Sequence, residues 1–187
     1  MISAVLDACV LYSASLRDFL LRLADAKLIG PFWSDEIHDE WIRSLLRNRP
    51  DLTRENLERT RHKMDSHFPN ALVRGYESIT PTLTLSDPND RHVLAAAIHA
   101  KADCIVTFNL NDFPNSHLQP YGIEAVLPDE IVLRMIQKRP SRVIATVKDH
   151  RLGLKRPTKS VNEYLATLKK QGLPKTVAFL REHEADI

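Results

Sequence analysis

The first apolar run, Ile2 to Leu6, is short, uncharged and ended by Asp7, the pattern of a buried strand. Leu16, Phe19, Leu20 and Leu23 then recur at helical spacing. Leu28 and Ile29, followed by Gly30-Pro31, predict a short strand and a turn. Ser34 opens a second helix, SDEIHDEWIRSLLRN, with a capping hydroxyl, acids in its first turn and arginines toward its end, as the helix dipole prefers. Pro50 stops it, and Thr53 to His67 predict a third, strongly basic helix closed before Pro69. Thr82 to Leu85 are a strand candidate. Asp87-Pro88 opens an alanine-rich helix running to about Lys101, and CIVTF, between Asp103 and Asn109, is the clearest strand after the first. This alternation predicts an α/β fold, a layered α/β/α sandwich with a mostly parallel central sheet.

After Pro128 the pattern changes. DEIVLRMIQK, SRVIATVKDH, SVNEYLATLKK and PKTVAFLREH are four helical patterns separated by prolines, with Gly153 and Gly172 as further breaks and no strand among them. The chain is therefore expected to divide into a core over residues 1–127 and a helical C-terminal extension over 128–187.

Composition changes this picture little. In 187 residues, 43% are hydrophobic, which suits a globular core, and a net charge of +2 leaves any nucleic-acid binding to local clusters. Cys9 and Cys104 have no CxxC partner, so zinc and disulfide frameworks are poorly supported; two thiols in a reducing interior are expected. The N-terminus lacks basic residues before its apolar stretch, and Asp7 and Arg17 interrupt it, unlike a signal peptide. No stretch reaches the roughly 18 apolar residues of a membrane span, so a cytoplasmic protein is expected. None of the eight histidines forms an HExxH pair; His92, near Asp90, is placed to contact substrate, but a surface position is the expectation. No GxSxG elbow supports a serine nucleophile.

The chemistry rests on carboxylates. Asp7 stands where a buried parallel strand should end, the position at which open α/β sheets bind ligands, although a loop aspartate capping the next helix is the ordinary alternative. Glu40 falls at the margin of the stripe formed by Ile37, Trp41 and Leu45; it either reaches inward or pairs on the surface with Arg43 or Ser44. In D-P-N-D, Asp87 suits a helix cap. Asp90 suits a third-position acid, yet it shares the face of Val93, Leu94, Ala97 and Ile98, which favours a ligand over a cap. Thr107, Asn109 and Asp112 surround a turn after the second clear strand, where turn chemistry alone also explains Asn and Asp. Acids gathered at strand ends and helix starts, without convergent Cys or His, favour Mg²⁺ or Mn²⁺ over zinc. Such ions offset the repulsion of clustered carboxylates and attract phosphate.

The blocks VLDACVLYSA, SDEIHDEWIRSLL, DPNDRHVLAAAIHAKADCIVTFN and LNDF, in this order over most of residues 1 to about 127, resemble the PIN-domain family, specifically the VapC-type toxins of bacterial toxin–antitoxin pairs. The resemblance implies an acidic site of Asp7, Glu40 and Asp90. Asp112 is assigned as the fourth acid, with Asn109 orienting a ligand, Thr107 orienting a water or a carboxylate, and Asp87 in support. It further implies a Mg²⁺- or Mn²⁺-dependent endoribonuclease, an RNA substrate, a cognate antitoxin protein and a homodimer. The alternative is a catalytically weak PIN-like RNA-binding or regulatory module, for which Asn109 is the warning sign.

Arg43, Arg47 and Arg49 extend along and beyond the helix of Glu40 and are the first choice for RNA phosphates. Arg54, Arg59, Arg61 and Lys63 continue the basic character. Lys148, Arg151, Lys155, Arg156 and Lys159 form a second cluster in the extension. Solvated helix faces balanced by acids explain any one of them equally well.

Overall fold

The computed structural model describes residues 1–155 and 157–187. In chain order it contains β1 (Ile2–Leu6), α1 (Ala8–Leu11), α2 (Ala14–Asp25), β2 (Ile29–Ser34), α3 (Asp35–Asn48), α4 (Arg54–His67), β3 (Leu72–Val73), α5 (Arg91–Ala100), β4 (Cys104–Val106), α6 (Asn115–Leu118) and β5 (Glu124–Val126). Four helices follow: α7 (Pro128–Lys138), α8 (Pro140–Gly153), α9 (Val161–Lys170) and α10 (Pro174–Arg181). The fold is α/β, with the strands in the order β3-β2-β1-β4-β5 and parallel pairing between β1 and β4, β4 and β5, and β2 and β3.

Two compact units organise these elements, and they do not follow the order of the chain. Residues 2–12 and 30–126 form one, and residues 13–29 and 127–187, with Met1, form the other.

In the first unit, the register aligns Leu6 with Val106 and Val106 with Val126, so three parallel strands end level. The residues that follow them, Asp7 and Thr107, continue the ladder: the Asp7 N–H donates to the Val106 carbonyl at 3.1 Å and the Thr107 N–H to the Val126 carbonyl at 3.0 Å. Parallel strands need covered faces, and α5 supplies cover by packing on β1 and β4 with its buried Val93, Leu94, Ala95, Ala96 and Ala97. Ser34 caps α3, its hydroxyl accepting from the Ile37 N–H at 3.2 Å, and α3 buries Ile37, Trp41, Ile42 and Leu45. Asp87 accepts from the Asn89 N–H at 2.8 Å and starts a 3-10 turn, Pro88–Asp90, that leads into α5.

Two strand expectations are corrected. The β2 strand runs through Gly30-Pro31 rather than turning there; its bonded register with β3 covers Trp33 and Ser34, beyond the proline that lacks an N–H. The segment Thr82 to Leu85 is not a strand. Its alternation is real, with Leu83 and Leu85 buried and Thr82 and Thr84 exposed, but it follows a 3-10 turn, Thr80–Thr82, and joins no ladder. The sheet is instead completed by β3 and β5, which the sequence reading did not place; their two and three residues are too few to show a period.

In the second unit, α2 buries Leu16, Phe19, Leu20 and Leu23 and packs on α8 and α9, while α7 packs on α8 and α10. Polar groups help tie it together. The imidazole of His150 bonds the Tyr164 hydroxyl at 2.8 Å and Asp18 at 2.9 Å, and Asp129 accepts from the Lys175 and Thr176 N–H groups at the start of α10, both at 2.9 Å. Among the described residues no helix is long and apolar enough to cross a membrane.

Candidate active site

Asp7 emerges from the aligned strand ends, buried to 5% exposure. Its Oδ1 accepts from the Ala8 N–H at 2.6 Å, so it does cap α1, but its other oxygen, Oδ2, has different work. Oδ2 accepts from the Thr107 hydroxyl at 2.6 Å and from the Cys9 thiol at 3.1 Å. Thr107, fully buried, also accepts from the Asn109 N–H at 2.9 Å, which fixes the turn after β4. Burial, with the charge of Asp7, pushes the Cys9 thiol up to about 12, so it is held protonated as a donor rather than as a nucleophilic thiolate.

A cavity of about 660 Å³ opens above these strand ends. Asp7, Glu40 and Asp90 line it, together with Cys9, Asn89 and Asn109. Glu40, Arg43, Ser44 and Arg47 contribute one face of α3, since spacings of three, four and seven residues return to the same side of a helix. Arg43 and Arg47 form no ion pair among the described residues.

Asp90 makes no capping bond with its side chain. Burial pushes its carboxyl up to about 6, helped by the negative charges of Asp7, Asp112, Asp87 and Glu40. Four other carboxylates thus act on Asp90 electrostatically. Asp112 contributes to that charge from the 3-10 turn Leu110–Asp112, but Asn109, not Asp112, lies in the cavity wall. Asp87 serves as the cap.

The donor set fits a hard divalent cation: three carboxylates, Asp7, Glu40 and Asp90, line one cavity. Among the described residues no group of three or more His, Cys, Asp or Glu side chains is arranged to hold one ion.

One contact joins residues far apart in the sequence. His92 is 4% exposed, not at the surface, and its Nε2 bonds Glu40 Oε1 at 3.0 Å. Burial alone would lower its pKa, but the hydrogen bond and charge of Glu40, with Glu36 and Asp7, raise it instead. A signal existed: Ala95 and Ala96, three and four residues on, share its helix face and are both buried. Glu40 therefore pairs with neither Arg43 nor Ser44.

The basic residues separate. Arg49 lies outside the cavity wall and makes a two-pronged bond to Asp51 at 2.8 and 2.7 Å. Arg61 is held by Asp35 and Asp39, Arg59 by Glu55 and Arg54 by Glu58. In the extension Arg151 donates to the carbonyls of Lys159 and Ile187, and Lys159 to the Thr167 hydroxyl. Arg156 lies outside the described residues.

Residues 3–111 match the PIN domain family, and residues 128–182 match the VapC50 C-terminal domain. The first match contains Asp7, Glu40, Asp90 and Asn109 and ends one residue before Asp112. A Mycobacterium tuberculosis (strain ATCC 25618 / H37Rv) protein named "Putative ribonuclease VapC50" is 42% identical over 69 residues. That similarity spans 35% of this chain and 40% of that protein, well under half of either. No solved structure matches the chain.

Proposed function

Because this chain belongs to the PIN-domain family, we propose that it is a Mg²⁺- or Mn²⁺-dependent endoribonuclease and the toxin of a VapBC-type pair. One observation carries the reading: Asp7 from the end of β1, Glu40 from α3 and Asp90 from the start of α5 line a single cavity with Arg43 and Arg47.

Asp7, Glu40 and Asp90 would hold the metal, with Asp112 as the fourth carboxylate at the margin. A bound Mg²⁺ or Mn²⁺ supplies charge compensation, an activated water and polarisation of the scissile phosphate. Thr107 fixes one oxygen of Asp7 by donating to it, which limits the carboxylate's rotation. Arg43 and Arg47 bind phosphates beside the acidic floor, where a cation and two guanidiniums together neutralise an RNA backbone. Asn109 offers a neutral amide to orient a water or a ribose hydroxyl. The nuclease chemistry belongs to residues 1–127, and the helices of 128–187 carry none of these side chains. The partners that follow from the toxin reading are an antitoxin protein and a second copy of the chain, acting on RNA in the cytoplasm.

The test is cleavage of structured and unstructured RNA by purified protein with Mg²⁺, Mn²⁺ or EDTA, beside Asp7→Ala and Asp90→Ala. Metal-dependent products bearing 5′-phosphates, reduced at least a hundredfold in both variants, are expected, since removing a group at the reacting centre typically costs factors of about 10²–10⁴. RNA that is bound but never cut would instead support the binding-module reading, which Asn109 in the cavity wall favours.

A further inference from the structure

His92 stands on α5, across from the α3 carboxylate it touches, and all but 4% of it is buried. Its contact with Glu40 takes Oε1 and leaves Oε2 as the oxygen without a hydrogen bond among the described residues. The other imidazole nitrogen, Nδ1, has no hydrogen-bond partner; the nearest acid is Glu36, whose Oε2 lies 4.0 Å away. Glu36 is itself steadied by the Tyr76 hydroxyl, which donates to Oε1 at 3.0 Å. A buried imidazole with one nitrogen unbonded is a poor choice for filling space in a helix whose other buried residues are all apolar, because the unmet polar group costs free energy. Its geometry suits a different task.

We infer that His92 is a positioning residue for Glu40: it clamps Oε1, keeps the carboxylate off Arg43 one turn along α3, and leaves Oε2 free for a cation in the cavity. This rests on the metal-dependent reading above. Without the clamp, Glu40 and Arg43 stand three residues apart, the spacing at which acids and arginines pair along a helix, and such a pair would consume both groups. With it, a cation-binding oxygen and a phosphate-binding guanidinium are available separately on the same wall. Groups that orient a ligand from outside the coordination sphere commonly change metal affinity by factors of about 10–100 when removed.

The experiment is titration of the intact protein with Mn²⁺ alone, followed by electron paramagnetic resonance, for wild type, His92→Phe, His92→Gln and Glu40→Gln, with His92→Phe repeated in the Glu40→Gln background. His92→Phe fills the site without a donor and is expected to weaken Mn²⁺ binding about tenfold. His92→Gln, which restores an N–H donor, should recover most of that loss. In the Glu40→Gln background, His92→Phe should cause no further loss. Thermal unfolding runs alongside, and if His92→Phe does not fold, His92→Met is read in its place. Wild-type affinity in the donorless variant, or an equal loss in the Glu40→Gln background, would overturn the inference while leaving the functional reading intact. Wild-type protein that binds no Mn²⁺ would overturn both.

Discussion

At the scale of the residue, Asp90 records what the cavity does to a carboxylate. Burial first, then the charges of Asp7, Asp112, Asp87 and Glu40, lift its pKa from 3.8 to about 6. An acid whose folded pKa lies above its unfolded value binds more protons in the native state between those values. Stability therefore falls as pH rises through that window, and the penalty is complete above it. In EDTA, Asp90→Asn is expected to raise stability at pH 7 by about 1 kcal/mol, allowing for solvent screening of a half-buried group, and to change little near pH 4. Urea unfolding at the two pH values checks this; equal effects at both would mean that the charge is already compensated. The carboxylate of Asp7 accepts from the Ala8 N–H, the Thr107 hydroxyl and the Cys9 thiol. Satisfied hydrogen bonds are what make a buried carboxylate tolerable.

At the scale of the element, α3 sorts its charges by face. Glu40, Arg43, Ser44 and Arg47 line the cavity, Asp35 and Asp39 hold Arg61, and Arg49 lies beyond the helix end against Asp51. Three arginines that look alike in sequence should therefore behave differently. Arg43→Ala and Arg47→Ala are expected to weaken RNA binding and to reduce the steepness of its salt dependence by about one released counterion each. Arg49→Ala should leave both unchanged. Fluorescence anisotropy of a labelled RNA in EDTA across a salt series measures this, and a loss at Arg49 equal to that at Arg47 would remove the distinction. The short element β3 makes the complementary point about legibility. Two residues carry no period, whereas the alternating but unpaired Thr82–Leu85 segment does. Alternation reports a buried and an exposed side, and only hydrogen bonding to a neighbour makes that a strand.

At the scale of the whole molecule, α2 belongs with helices that follow it by more than a hundred residues. Its Leu16, Phe19, Leu20 and Leu23 are buried in the unit that also contains α7–α10, and Asp18 on α2 bonds His150 on α8. A fragment ending at Leu127 would expose that apolar face to water, at about 25 cal/mol per Å². Residues 1–127 expressed alone are expected to aggregate or to lose a cooperative thermal transition, while the full chain keeps one. Calorimetry of both decides it, and a fragment melting as cooperatively as the full chain would show that α2 is held by other means.

Neighbouring residues alone were enough to place the long helices, β1, β4 and the chemistry available, but not the short strands β3 and β5. The 3.6 and 2.0 periods, the caps at Ser34 and Asp87, and the acids after two buried strands are local properties, written in neighbouring residues. Asp90 stood out because it lay on the buried side of its own helix, which also needs no tertiary knowledge. The extension's four helices were equally plain from their prolines. What only the tertiary structure decided were pairings between distant residues: Glu40 with His92, Asp7 with Thr107, Arg61 with Asp35 and Asp39, and α2 with α8 and α9. A side chain's periodicity fixes which way it faces, but not what it meets there. That depends on the register of parallel strands and the packing of helices far apart in the chain, and so it is set by the folded whole.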